Sequence, residues 1–423
     1  MKTEQYDIGH ERRTVLLLSL GFGLVGLDRW IISPLFPSMM KDMGLNYQDL
    51  GNIIGALGLA WGVSALIIGG LSDKLGRKKV LVGSIILFSL CSLLTGLASG
   101  LFSLILVRVI MGITEGAFGP TAVAATAESS RPKRRGLNMG IQQSTFALFG
   151  IGLGPIIATQ LLQVVPSWHW VFGIMLIPGL VLAYFIFKTI REPRDLPTFE
   201  SAVATTSAEK ARWVDVFRYR NVRLAMLALC GAMTCIFVLS AMVPSYLTDF
   251  RGIEMTSMGI ITSGIGLGAF AGQLAIPALS DRFGRKPVVI AALLLAAALL
   301  LVFIFQGPFM PVLFLLLFFI AFGANGCLAL LAGTITVESV PAGSLAAAAG
   351  TVIGVAEIFG GGVAPSLAGF LAQNYGIAYP LYLALAGLLL CVVAAAFLRE
   401  TAPNKLKQAG GEQVPGLESA LES

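Results

Sequence analysis

The chain has 423 residues, of which 56% are hydrophobic and only 12% are charged, whereas soluble domains carry about 25% charged residues. This composition excludes an ordinary water-soluble protein, because too little polar surface is available to cover the apolar residues. It is typical of a protein that crosses the bilayer in segments of about 20 apolar residues. Basic loops account for the formal net charge of +6, so no nucleic-acid partner is expected.

Twelve apolar windows predict twelve transmembrane helices. The first six lie at residues 14–40, 49–71, 79–98, 101–126, 137–164 and 168–190, and the second six at 222–248, 256–280, 286–306, 310–337, 345–373 and 378–398. The first window is too long for the apolar region of a signal peptide, so it is interpreted as a span. An all-α membrane protein with two six-helix bundles is the predicted fold class.

A polar segment rich in proline, serine, threonine and charges separates the two sets of spans. We therefore expect an N-terminal bundle over residues 1–190, a cytoplasmic linker over 191–221, a C-terminal bundle over 222–400 and a disordered tail over 401–423. Basic residues are concentrated at one end of the spans, while the other end has only Lys41 and Arg251. The positive-inside rule then predicts cytoplasmic termini and a multi-pass plasma (bacterial inner) membrane protein.

One loop sequence occurs twice, between spans 2 and 3 and between spans 8 and 9. Leu-Ser-Asp73-Lys-Leu-Gly-Arg77-Lys is matched by Leu-Ser-Asp281-Arg-Phe-Gly-Arg285-Lys. Two weaker pairs keep nearly the same offset, namely Glu128-Ser129 with Glu338-Ser339 and Gly154-Pro155 with Ala364-Pro365. Three pairs at one offset indicate two parallel copies, an arrangement in which substrate binds near the midplane between the halves.

Four ionisable residues fall inside spans of the first half. Charges in a bilayer core are costly and usually mark function. Arg108 and Glu115 share a face of span 4, because seven residues turn a helix by about 700°, within about 20° of two full turns. Asp28 and Arg29 in span 1 lie about 100° apart. We therefore expect Asp28 to pair with Arg108 and Arg29 to be free to face a cavity.

The alternative is that these charges form a structural cluster that only fixes helix packing. The equivalent positions of the second half, near Phe237, Leu317 and Ala324, carry no charge. The duplication therefore did not require the charges, which favours function. Arg29 keeps its proton and presents a planar fork suited to a carboxylate, and Glu115 is a candidate proton carrier. Together they predict binding of a small organic anion coupled to proton movement, with Arg29 and Arg108 as substrate-binding residues and Asp28 and Glu115 as proton-coupling residues.

Three further polar residues lie in predicted spans. Glu357 in span 11 is a candidate second proton site, hydrogen-bond donor or substrate ligand, or else a glutamic acid hydrogen-bonded between helices. Gln143 in span 5 and Asn325 in span 10 are candidate ligands for substrate hydroxyls, with hydrogen bonding between helices as the alternative. The cysteines and histidines lack metal-ligand spacing, so no metal or cofactor is expected.

The duplicated G-x-x-x-D-x-x-G-R-K loop resembles the signature of the major facilitator superfamily. This resemblance implies the twelve-helix fold and transport by alternating access. It also implies that the loop residues Asp73, Arg77, Asp281 and Arg285 latch the two bundles together on the cytoplasmic side. Topology alone is the alternative explanation for the basic residues of the loop.

Asp28-Arg29 in span 1 and R-x-x-x-G-x-x-E-G in span 4 resemble the anion:cation symporter branch, which includes galactonate and sialin-type carriers. The resemblance implies that Arg29 binds a substrate carboxylate, that Asp28 pairs with Arg108, and that Glu115 takes up a proton. It also adds Trp61, twelve residues before the loop aspartate, as a candidate substrate contact. The sequence departs from the branch after Arg29, where Trp-Ile-Ile lacks the usual asparagine.

The sequence thus predicts a monomeric, proton-coupled symporter of a small organic anion, with no enzymatic activity. The first alternative is a proton-driven antiporter that exports drugs or metabolites, suggested by the Gly150-x-x-x-Gly154-Pro155 string. The remote alternative is a membrane receptor without transport.

Overall fold

The computed structural model describes residues 8–68, 75–191, 213–341, 344–402 and 405. Nearly all of these residues are helical. The N-terminal bundle holds α1 (Ile8–Met43), α2 (Tyr47–Ile68), α3 (Arg77–Gly96), α4 (Leu101–Ser129), α5 (Arg135–Val164) and α6 (Trp168–Thr189). The C-terminal bundle holds α7 (Arg220–Phe250), α8 (Met255–Phe283), α9 (Arg285–Phe305), α10 (Met310–Glu338), α11 (Ala348–Tyr375) and α12 (Tyr379–Ala396).

Eleven of these helices, within the described part of the chain, are long and apolar enough to cross a membrane. The 22-residue helix α2 occupies the place of the remaining predicted span. The chain is therefore a multi-pass membrane protein, and the predicted twelve-helix fold class is confirmed. The predicted linker and tail fall mostly on residues outside the described set, so the domain boundaries stay predictions.

Within each bundle the helices pack in the same way. In the N-terminal bundle α2 packs on α4, and α3 packs on α4 and α6. In the C-terminal bundle α8 packs on α10, and α9 packs on α10 and α12. Each packed pair of helices in the N-terminal bundle thus corresponds to the pair six helices later in the C-terminal bundle. This is expected of two copies of one six-helix unit.

The repeated small-residue–proline pairs have a structural counterpart. In α5 a π-helical stretch, Phe146–Leu153, ends at Gly154-Pro155, and in α11 a similar stretch, Glu357–Val363, ends at Ala364-Pro365. Proline has no N–H to donate to the preceding turn, and widened π turns are frequent at functional sites. Both wide turns lie where the two bundles meet.

The bundles pack tightly at the end that carries Lys41 and Arg251, here termed the closed face. Four glycines of α2 rest on α11: a Cβ added to Gly51, Gly55, Gly58 or Gly62 would lie within 3 Å of an α11 atom. The contacts run from Gly369 at the end of the chain's eleventh helix to Ile358 near its centre. Small residues allow this close backbone approach in membrane helices.

Helices α5 and α8 form the second contact between the bundles. At one end of this contact the Gln163 amide donates a hydrogen bond to the Thr256 hydroxyl (2.5 Å). At its other end the backbones of Gly152 and Gly266 approach each other closely. Tyr47 adds a hydrogen bond from its hydroxyl to Asp249 of the other bundle (2.9 Å). The closed face is therefore sealed by helix packing and by side-chain hydrogen bonds.

The opposite end, here termed the loop face, carries the repeated loops and most basic residues. A Cβ added to Gly140 of α5 or Gly350 of α11 would meet no described atom within 4 Å. Both glycines are exposed, although they continue the helix edges that are tightly packed at the closed face. The close packing seen at the closed face therefore does not extend to these two positions of the loop face.

Gly58→Ala should shift the protein away from this closed-face packing. The added methyl would lie 2.2 Å from the main-chain oxygen of Gly361, and overpacking of this kind costs about 1–3 kcal/mol. We expect longer distances between spin labels placed at the exposed positions Lys41 and Glu254. The matched control is Gly83→Ala in α3, where the methyl meets no described atom within 4 Å. Equal distance distributions in the two variants would contradict the role assigned to Gly58.

Candidate functional site

A buried ion pair joins the two bundles at the inner end of the closed-face packing. The guanidinium of Arg29 in α1 donates to Oε1 of Glu357 at the start of the π-helical stretch of α11. Both side chains are almost completely buried. The sequence prediction that Arg29 is free to face a cavity is therefore wrong for this conformation, since a carboxylate of the other bundle holds it. The Nε of Arg29 is buried and makes no hydrogen bond to the part of the chain that the structure describes.

Aromatic rings surround the ion pair. The guanidinium carbon of Arg29 lies 4.8 Å from the ring centroid of Phe237 in α7 and 5.7 Å from that of Trp30. The two rings contact each other across the bundles, with centroids 5.2 Å apart. Such cation–π contacts stabilise a desolvated cation. Phe237 was noted in the sequence only for its lack of charge, and the repeat offset that equates it with Arg29 could have marked it as a neighbour.

A glycine makes room for the carboxylate of Glu357. A Cβ added to Gly361, one turn along the π-helical stretch, would lie 2.3 Å from Oε1 of Glu357 and 2.8 Å from the Phe237 ring. Any larger residue at this position would therefore displace the carboxylate from Arg29. The glycine-rich run Gly360-Gly-Gly362 thus has a role in the ion pair as well as in helix packing.

Arg108 of α4 binds the backbone of α1 and not the carboxylate of Asp28. Its guanidinium donates to the main-chain oxygen of Asp28 (3.0 Å) and to that of Arg29 (3.5 Å), and it lies over the ring of Phe172. No nitrogen of Arg108 lies within ion-pair distance of the Asp28 carboxylate, so the predicted ion pair is absent. Pro34 removes a hydrogen bond from the following turn of α1, and Arg108 braces the helix just before that point.

Asp28 and Glu115 are fully buried; among the described residues the Glu115 carboxyl makes no hydrogen bond, and the Asp28 carboxyl has the Ser92 hydroxyl as its one nearby hydrogen-bonding side chain, outside ideal geometry. Asp28 lies near Ser92 and Arg108, and Glu115 is close to Arg29 and Asp28. The predicted grouping of the four charges of α1 and α4 is therefore present, with Glu357 as a fifth member. A buried ionised carboxyl without partners carries a large desolvation cost, which a proton removes.

The uncharged candidate ligands have separate environments. Trp61 packs on α4, where Gly116 approaches its main-chain oxygen and Gly119 its ring. Its indole N–H is buried and makes no hydrogen bond within residues 8–68, 75–191, 213–341, 344–402 and 405. Asn325 accepts a hydrogen bond from Gln273 (3.0 Å), which is the interhelical alternative raised for it. Gln143 is exposed, whereas its neighbour Gln142 is fully buried and both polar atoms of its amide lack a partner.

The repeated loop residues bind within their own bundles. Arg77 pairs with Glu128 (3.0 Å), and Arg285 pairs with Glu338 (2.9 Å) and with Asp281. The two Arg–Glu pairs are the same pair in the two copies, which explains why the glutamates are repeated at nearly the offset of the loop. For Asp281 and Arg285 these partners lie in the C-terminal bundle, and a latch between the bundles stays a prediction. Asp73 lies outside the described residues.

The family of the chain follows from a comparison with known sequences. A model of the Major Facilitator Superfamily matches residues 18–257 and 247–421. The chain belongs to the major facilitator superfamily. It is accordingly a membrane transporter and not an enzyme.

Relatives among characterised proteins include several transporters. The chain is 27% identical to the hexuronate transporter of Bacillus subtilis over 68% of its own length and 71% of that protein. It is 25% identical to the probable L-galactonate transporter of Escherichia coli, covering 91% and 88% of the two chains. Its resemblance to organic anion transporters, predicted from α1 and α4, is therefore confirmed.

The fold also matches solved structures. The crystal structure of a bacterial homolog of the human lysosomal transporter Spinster superposes with a TM-score of 0.74 at 18% identity, covering 92% of this chain and 96% of that one. The human organic anion transporter MFSD10 superposes with a TM-score of 0.67 at 20% identity, covering 91% and 99%. At these identities the likeness concerns the fold alone.

Proposed function

We propose that this transporter is a proton-coupled symporter of small organic anions that works by alternating access. The observation that supports it most directly is the ion pair between Arg29 and Glu357, in which a buried cation at the interface of the bundles already holds a carboxylate. A substrate carboxylate has the same charge and shape and can take the place of Glu357. Hexuronate and galactonate, named for two relatives, are sugar acids with one carboxylate.

The surroundings of Arg29 suit such an exchange. Its Nε is an unused donor, so an incoming carboxylate can form one hydrogen bond before Glu357 leaves. The planar fork then permits a bidentate contact, which is the strongest geometry for a carboxylate. Trp30 and Phe237 cover the guanidinium and exclude water from it. The exchange therefore proceeds without ever leaving the buried cation unpaired.

Charge balance supports coupling to protons. The buried cluster contains two arginines and three carboxyl groups, namely Arg29, Arg108, Asp28, Glu115 and Glu357. With every group ionised the cluster carries one negative charge, so one proton makes it neutral. A bound monocarboxylate adds one more negative charge and requires one more proton. Because uncompensated buried charge is costly, the proposal includes one proton carried with each monoanion.

The orientation completes the proposal. The loop face carries most of the basic residues, so by the positive-inside rule it is cytoplasmic. The space between the bundles then opens to the cytoplasm, and the closed face seals the site from the outside. Arg29 and Glu357 lie where that seal ends, the place from which a substrate would be released into the cell.

Uptake into proteoliposomes tests the function. We expect an inward proton gradient to drive accumulation of labelled galactonate or glucuronate. Absence of stimulation across a panel of sugar acids, aromatic acids and dicarboxylates would overturn symport of organic anions. The antiporter alternative predicts the opposite coupling, in which an inward proton gradient drives efflux. The Gly150-x-x-x-Gly154-Pro155 string that suggested the antiporter has a packing explanation in this structure, since Gly150 lies against the backbone of Gly26.

Glu115→Gln should uncouple transport from protons while leaving substrate binding nearly unchanged. The amide has the shape of the acid but carries no titratable proton, and Glu115 makes no hydrogen bond that the change would break. We expect loss of pH-driven accumulation with retention of exchange between internal and external substrate. Glu254→Gln, at an exposed position of the closed face, is the control. Normal pH-driven accumulation by the Glu115 variant would exclude its role as proton carrier.

A further inference from the structure

A crevice of about 420 Å³ lies between α1 and α5 at the loop face. Its mouth is lined by Arg12 and Arg134, and its depth by apolar side chains of the two helices. All the lining residues belong to α1, α5 or the turn before α5: Glu11, Arg12, Val15, Leu16, Ser19, Leu20, Arg134, Asn138, Ile141, Thr145 and Phe149. The crevice is separate from the cluster around Arg29.

The crevice faces away from the substrate pathway. Leu20 lies nine residues before Arg29, a rotation of about 900°, or two full turns plus about 180°, so the two side chains lie on opposite sides of α1. Leu16 lies about 140° around the helix from Arg29. Leu16 is 59% exposed and Ile141 is 42% exposed. Described residues of the C-terminal bundle do not line the crevice. Exposed apolar side chains on the outer side of a membrane-spanning bundle contact lipid.

The mouth of the crevice is positively charged. Arg12 and Arg134 are exposed. The carboxylate of Glu11, which also lines the mouth, is occupied by Arg131 (2.7 Å) and by the amide of Asn138 (2.9 Å). Its charge is therefore compensated, and the two lining arginines remain to bind an anion. Basic pockets between transmembrane helices are typical sites for anionic headgroups.

A buried hydroxyl marks the depth of the crevice. The Oγ of Ser19 is buried and has no hydrogen-bond partner among the described residues, and Ser19 lines the crevice. It lies seven residues from Arg12, which is about 10 Å along the helix. The crevice thus combines cations at its mouth, an unused polar group inside and apolar walls around them.

We propose that this crevice binds an anionic phospholipid. The phosphate would contact Arg12 and Arg134, the Ser19 hydroxyl would donate to an ester oxygen, and an acyl chain would lie against Leu16, Leu20 and Ile141. The lipid would then fill the gap between α1 and α5. Because α1 carries Arg29 and α5 carries a contact between the bundles, the site lies on the two helices that must move together when the N-terminal bundle rotates.

The test compares two double variants of equal charge. Arg12→Gln with Arg134→Gln removes both lining arginines, while Arg13→Gln with Arg135→Gln removes exposed neighbours that do not line the crevice. The protein is reconstituted in nanodiscs of phosphatidylcholine with a small fraction of spin-labelled phosphatidylglycerol. The salt concentration is 0.5 M, so that charges more than several ångströms away are screened.

We expect the wild type and the Arg13/Arg135 variant to retain an immobilised phosphatidylglycerol, and the Arg12/Arg134 variant to bind it about 30-fold more weakly. This value follows from about fivefold for each arginine near a headgroup. Unlabelled phosphatidylglycerol should compete, and soluble glycerol phosphate should not. Equal losses in both variants, no immobilised lipid in the wild type, or competition by glycerol phosphate would each overturn the site.

Discussion

Replacement of Arg29 by glutamine should weaken the binding of small carboxylates by about 30-fold or more. Removing one partner of a buried, hydrogen-bonded charge pair costs about 2–5 kcal/mol, and each 1.4 kcal/mol is tenfold in affinity. The measurement is titration calorimetry on purified protein with galactonate and glucuronate as probes. Glutamine keeps much of the length of the side chain, so that packing against Trp30 and Phe237 changes little.

Arg29→Lys should give an intermediate loss. Lysine keeps the positive charge but loses the planar fork, so that a carboxylate gains one strong contact where arginine gives two. It also stacks less well on the Phe237 ring, which lies 4.8 Å from the guanidinium carbon. An ordering in which wild type binds best, lysine next and glutamine least would identify the fork, and not charge alone, as the recognition element.

Arg251→Lys is the matched control for this series. Arg251 lies at the closed face, where it donates to the Tyr246 hydroxyl (2.8 Å) and to the main-chain oxygen of Ile304 (2.9 Å). It has a structural role far from the buried cluster, so anion affinity should stay within about twofold of the wild type. Thermal unfolding of each variant separates loss of binding from loss of fold. A folded Arg29→Gln protein with wild-type affinity would exclude Arg29 as the anion receptor.

Much of the fold could be predicted from the sequence because apolar length and repetition are local signals. The spans follow from runs of about 20 apolar residues, and the two copies follow from the loop around Asp281 and its counterpart. The Arg77–Glu128 and Arg285–Glu338 pairs could have been anticipated, since both members of each pair are repeated at nearly the same offset. The unit of duplication thus includes an ion pair that holds the loop to its own bundle.

The partners of the buried charges could not be predicted from helix periodicity. The angle between residues on one helix gives the face on which a side chain lies, but not which group of another helix it meets. Arg29 and Glu357 are 328 residues apart and belong to different bundles, so no spacing relates them. Arg108 binds main-chain oxygens, and a main-chain acceptor leaves no mark in the sequence.

The exposed position of Gln143 and the burial of Gln142 illustrate the same limit. The two residues are chemically identical and adjacent, and they differ by about 100° around α5. The π-helical stretch that begins at Phe146 changes the rotation of the helix relative to an ideal one. Residue type alone could not decide between the two, and among the described residues the buried amide without a partner belongs to Gln142, while a substrate contact of Gln143 stays a prediction.

Glu357→Gln should tighten the binding of small carboxylates by about tenfold or more at a pH where Glu357 is ionised. In the wild type this carboxylate occupies Arg29, so a substrate must displace it. The apparent affinity is the intrinsic affinity multiplied by the fraction of protein in which Arg29 is not paired with Glu357. Charged hydrogen bonds contribute about 1.5–3 kcal/mol, which sets the size of the gain. An uncharged amide competes far less well.

The Glu357→Gln replacement should also change the pH dependence of carboxylate binding. As the pH falls, protonation of Glu357 releases Arg29 in the wild type, so wild-type affinity should rise toward that of the variant. The variant should show a flatter profile, with any remaining slope due to Asp28 and Glu115, the other carboxyl groups near Arg29. The measurement is calorimetry across a pH series, with Glu254→Gln as a charge-matched control at an exposed position.

The direction of the effect separates two roles for Glu357. If it binds substrate hydroxyls directly, its replacement should weaken the affinity at every pH. If it is the internal occupant of Arg29, replacement should strengthen binding but hinder the return of the empty carrier, which would then move with an unpaired buried cation. We therefore expect Glu357→Gln to retain exchange and lose net accumulation, with tighter binding distinguishing it from Glu115→Gln. Weaker binding by a folded Glu357→Gln protein would assign Glu357 to the substrate contacts.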